Sequence, residues 1–146
     1  MKRLFIYIVI IGLSFAAPVK KADVARLSPV EAVAVAKENS VICITTDTGE
    51  YGQGETVKEA LNDMKQNSTS LVYLDTAKYL LITEEAKGQI NQLKEEMRGS
   101  VKLCIWDGET DVKDAVKYLT IHGNMPRLSQ CSPQTDLPRF SCKKFS

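Results

Sequence analysis

Apolar and polar positions along this chain change period repeatedly, and each change predicts an element. Leu4 to Leu13 is an unbroken apolar run, whereas residues 17–27 show no period and read as a linker. Ser28-Pro29-Val30-Glu31 carries a helix-start signature, with serine three residues before glutamate and proline between them. Against this, Val33 and Val35 alternate with alanines, Lys37-Glu38-Asn39-Ser40 makes a polar turn, and Val41 to Thr46 is rich in β-branched residues. The hairpin is the favoured reading. Asp47 to Gly54 contains Gly49, Gly52 and Gly54 and is expected to be a loop.

A helix should follow to about Gln66. Thr56 and Glu59 form a capping box, and Val57, Ala60, Leu61 and Met64 make one apolar face. Asn67-Ser68-Thr69 matches a glycosylation sequon but suits the turn chemistry of a helix end equally well. Leu71 to Leu74 is a short strand. Tyr79 to Thr83, almost continuously apolar, reads as a strand covered on both faces.

Glu84 to Arg98 is expected as a second helix, burying Ala86, Ile90, Leu93 and Met97 and stopped by Gly99. Val101 to Trp106 is the next strand, Asp107-Gly108 a turn, and Thr110 or Asp111 the cap of a third helix to Thr120. That helix should bury Val112, Ala115, Val116 and Leu119. Residues 123–146 contain Pro126, Pro133 and Pro138 and are expected to be an irregular or partly disordered tail. The sum is a mixed α/β (α+β) domain over residues 28–122, in the order ββ-α-β-β-α-β-α. Its helices should lie mainly on one face of a mixed sheet.

The first residues bear on compartment. Lys2 and Arg3, the run Leu4–Leu13 and the small residues flanking Phe15 form a signal peptide over residues 1–16, with cleavage after Ala16. The run falls well short of the ~20 residues that span a bilayer, yet retention as an anchor, with membrane association through residues 4–17, stays open. The chain is therefore expected to be exported. Removing Lys2 and Arg3 takes the formal charge from +1 to −1, which leaves no basic excess for nucleic acid. Lys143 and Lys144 make only a short basic end.

Cys43 and Cys104 stand in apolar strands and read as buried thiols, with a disulfide between them as the alternative. A local Cys131–Cys142 disulfide is equally open. None has C-x-x-C spacing. His122, the one histidine, reads as a helix-end residue. The pairs Glu84-Glu85 and Glu95-Glu96 read as solvated helix residues, and Asp107-Gly108-Glu109-Thr110-Asp111 as a turn and cap lacking the ligands of a calcium loop. Gly49, Gly52 and Gly54 could cradle phosphate before a helix, but Glu50 and Glu55 oppose an anion. No catalytic residue, cofactor site or metal site is expected.

Gly54-Glu55-Thr56-Val57-Lys58-Glu59-Ala60-Leu61 resembles a segment of the Ger(x)C family, the C subunits of spore-germination nutrient receptors in endospore-forming bacteria. The likeness continues through Leu71–Leu74, Ala77-Lys78, Leu80 to Glu85, Val101–Trp106 and Asp111–Leu119, with Pro29 to Thr46 as the opening hairpin. Family members are usually lipoproteins with further domains, whereas this chain has no cysteine before Cys43. The resemblance implies a stand-alone domain similar to the N-terminal part of such a subunit. Its function would be a non-enzymatic interaction module in sporulation or germination, with envelope or germinant-receptor proteins as partners. A small secreted hydrolase or ligand-binding protein is the alternative.

Overall fold

The computed structural model describes residues 27–69, 71–121 and 124–140. The proposed signal, His122 and Cys142 lie outside the described residues. At the centre stands β6 (Tyr79–Ile82), buried along its whole length as its continuous apolar character requires. Around it, β2 (Ala32–Glu38), β3 (Val41–Thr46), β4 (Tyr51–Gly54), β7 (Lys102–Trp106) and β8 (Arg139–Phe140) complete a six-stranded sheet in the order β4-β3-β2-β6-β7-β8. β2, β6, β7 and β8 run parallel; beyond β2, β3 pairs antiparallel with β2 and β4 antiparallel with β3. A separate parallel pair joins β1 (Leu27–Pro29) to β5 (Leu71–Tyr73), just before β2 and β6 in the chain.

The helices divide between the faces. α1 (Val57–Asn67) and α2 (Ile90–Glu96) bury Val57, Leu61, Met64, Ile90 and Leu93 against Val33, Val35, Ile44, Leu80 and Leu103 on one face. α3 (Val112–Ile121) buries Val112, Ala115, Val116 and Leu119 against Ala32, Ala34, Leu81 and Cys104 on the other. The architecture is thus a small mixed α/β domain with two helices on one face and one on its reverse.

The opening hairpin prevails over the helix start at Ser28-Pro29. Glu38 pairs directly with Val41, leaving a two-residue turn in which Asn39 and Ser40 both take positive φ, 47° and 72°. That is the backbone a tight hairpin demands. The capping of α1 follows the sequence closely: the Glu59 amide donates to Thr56 Oγ1 at 3.2 Å, and the Glu55 amide to Glu59 Oε2 at 3.0 Å.

Three expectations change. The loop from Asp47 to Gly54 is a turn followed by β4, whose ladder with β3 outweighs the weak strand preference of glycine. The second helix begins as 3-10 turns over Glu84–Gln89 and is α-helical only over Ile90–Glu96. Residues 124–140 are mostly irregular, as expected, but they are packed. Leu128, Cys131, Leu137 and Phe140 are buried, and the Leu103 and Ile105 amides donate to Pro126 O and Pro138 O at 2.9 Å each. This segment supplies β7 with its outer partner.

Candidate functional site

The direction of the connections locates the site. After β6 the chain turns over the first face through Glu84–Gln89 into α2; after β7 it turns over the second face into α3. Adjacent parallel strands whose connections leave on opposite faces open a crevice at their carboxyl ends, where ligands bind in open α/β sheets. Here that crevice is a cleft of about 240 Å³ between Thr83, Glu84, Trp106, Asp107, Arg139 and Phe140.

Thr83 forms its floor. It is only 8 % exposed, its amide donates to Val35 O at 3.0 Å, and its Oγ1 is buried without a hydrogen-bond partner. A solitary buried hydroxyl costs about 1–3 kcal/mol. Across the mouth, Arg139 Nη2 meets Glu84 Oε2 at 3.1 Å; both side chains are exposed, so this pair adds little stability. Phe140 is buried and packs on Tyr118 at a tilt of 50°, with ring centroids 4.9 Å apart. Trp106, half-buried at the end of β7, donates its indole N–H to Thr110 O at 3.0 Å.

Asp107 organises the rim. Oδ1 accepts from the Glu109 and Thr110 amides at 3.0 Å each, and Oδ2 from Thr110 Oγ1 at 2.9 Å, while Gly108 takes φ 80°. Asp111 then caps α3, its Oδ1 accepting from the Lys113 amide at 2.8 Å. The five residues expected as a turn and cap are just that. The carboxylates of Asp107 and Asp111 accept from groups of their own turn and cap.

The other candidates disperse. Glu84 and Glu85 line the cleft, whereas Glu95 and Glu96 lie exposed on α2. Among the described residues no group of three or more His, Cys, Asp or Glu side chains is placed to hold a metal ion. Cys43 and Cys104 are both free, separated by three strand spacings or roughly 14 Å, so the disulfide alternative fails geometrically. Cys104 is buried, and burial pushes its thiol up to about 12. Cys43 is only half-buried and receives the Tyr51 hydroxyl at 3.4 Å, a bond that, with desolvation, pushes Tyr51 up to about 12. Cys131 is a buried free thiol whose Sγ donates to Arg127 O at 3.2 Å.

The glycines have a mechanical duty. A Cβ on Gly52 would collide with Ala60 O and stand 2.5 Å from Met64 N; on Gly54 it would lie 2.6 Å from Glu59 Cβ. α1 therefore rests directly on the backbone of β4, and the space a phosphate would need is filled by helix. Sequence reasoning missed Thr83 and Arg139 as site residues. Their signal, a polar residue ending a buried strand and an arginine before a late aromatic, has meaning only once the strand order is known. No protein family, curated protein or solved structure matches this chain.

Proposed function

We propose that this chain is an exported, non-enzymatic interaction module that receives a protein partner in the carboxyl-edge cleft. The observation carrying this reading is Thr83 Oγ1, buried without a partner beneath a cleft at the crossing of the connections. A group on the partner that reaches it would recover the bond the isolated domain lacks. Half-buried Trp106 offers aromatic contact area, and Glu84 with Arg139 offers one charge of each sign for register. The engagement of Asp107 with its own turn, and of Glu84 with Arg139, favours binding over catalysis. The resemblance to Ger(x)C subunits suggests envelope or germinant-receptor components as partners, acting in sporulation or germination.

The test is capture from the native host. Tagged full-length protein, cross-linked in sporulating cells, should retrieve a defined envelope component, and Trp106→Ala or Arg139→Glu should lower the yield at least tenfold. Retrieval of no envelope or receptor component, or retrieval indifferent to both substitutions, defeats the reading.

A further inference from the structure

The opposite end of the parallel strands has a different chemistry. Lys78 precedes β6, Lys102 opens β7, and Arg98 reaches over from beyond α2, its Nη1 donating to Asp75 O at 3.0 Å. These three cations and the carboxylate of Asp75 line one cleft of about 490 Å³. Arg127 adjoins it, bridged to Lys102 through the backbone. Glu31 and Asp47 stand at the same end of the sheet. Asp47 Oδ1 is already engaged by the Glu31 and Ala32 amides at 3.1 and 3.3 Å.

Large apolar side chains are exposed at this end too. The β1–β5 pair leads into β2 and β6 from their amino ends. Its Val72, and Leu74 just after it, pack on the core, while Leu71 and Tyr73 are 60 % and 47 % exposed. Leu71 and Tyr73 thus stand exposed on the segment that runs directly into Asp75 and Lys78. The chain also enters here: residues 14–26 alone separate the apolar run Leu4–Leu13 from β1.

We propose that this amino-terminal end docks on a membrane surface rich in anionic lipid headgroups. Lys78, Arg98 and Lys102 would meet lipid phosphates, their aliphatic stems lying along the interface. Tyr73 suits the headgroup level and Leu71 the acyl boundary beneath it. So seated, the domain holds the carboxyl-edge cleft away from the bilayer. The inference rests on export but not on the identity of any partner in that cleft.

Hydrogen exchange of the full-length protein tests it, with vesicles of phosphatidylcholine alone or phosphatidylcholine containing phosphatidylglycerol. Amides in 71–79 and 98–102 should gain protection on the anionic vesicles only, and those in 106–111 on neither. Each cation near an anionic surface is worth about fivefold, so K78A/R98A/K102A should weaken docking roughly a hundredfold. The local protection should then vanish even if Leu4–Leu13 keeps the chain on the vesicle. Tyr73→Ser should weaken it with all charges intact. Partner capture through the opposite end should survive both changes, which separates the two readings. Protection independent of lipid charge, or centred on 106–111, overturns the proposal.

Discussion

Thr83 sits where stability and binding pull apart. Thr83→Val keeps the shape and removes a hydroxyl that the isolated domain leaves unpartnered. Unfolding in urea should therefore show the variant more stable by about 1 kcal/mol. Partner capture should fall, since the bond offered to a ligand is gone. A destabilised Thr83→Val would mean that the hydroxyl already has a partner. Cys104 makes a second prediction at this scale. Burial raises its thiol to about 12 from an ordinary 9.0. The unfolded chain thus loses this proton first as pH rises. The stability held by the neutral thiol is complete below pH 9 and declines towards pH 12. The stability gap between wild type and Cys104→Ala in urea titrations should narrow across that window, whereas a gap constant with pH would contradict the assignment.

Among the elements, the contact between α1 and β4 is the most exacting. Gly52→Ala or Gly54→Ala places a methyl group against helix backbone, where overpacking costs typically 1–3 kcal/mol. Gly88→Ala meets nothing within 4 Å and should be neutral or slightly stabilising. Thermal unfolding of the three variants should separate the first two from the third; equal midpoints would show that α1 can lift off its strand. Much of this level is legible in the sequence. The hairpin, α1, β7 and α3 each combine a clear period with caps or turns that agree with it, and β6 shows the continuous apolar run of a covered strand. β4 is illegible because Tyr-Gly-Gln-Gly has no β-prone residue but its tyrosine; the helix it supports gives it its role. The 3-10 start of α2 escapes because Ala86 is the one buried position within Glu84–Gln89, and a single position sets no period. β8 escapes because two residues have no period. The candidate site is harder still to read, since its residues come from three strand ends whose adjacency no local pattern states.

For the molecule as a whole, residues 124–140 decide whether the sheet is finished. Leu128 and Leu137 are 0 % and 4 % exposed, and the backbone around them satisfies amides on the outer side of β7. Ending the chain after residue 123 should abolish cooperative unfolding, with Leu128→Ala costing about 2–5 kcal/mol in the intact chain. A cooperative transition in the shortened chain would show the segment to be dispensable. The closing of β7 by this late segment also has a kinetic consequence. β2 must wait for β6, and β7 for residues 126–140, so the sheet's pairings join residues made far apart in time. Such topologies fold slowly. Completion of the sheet then waits on β7 meeting residues 126–140, the latest of its pairings in chain order.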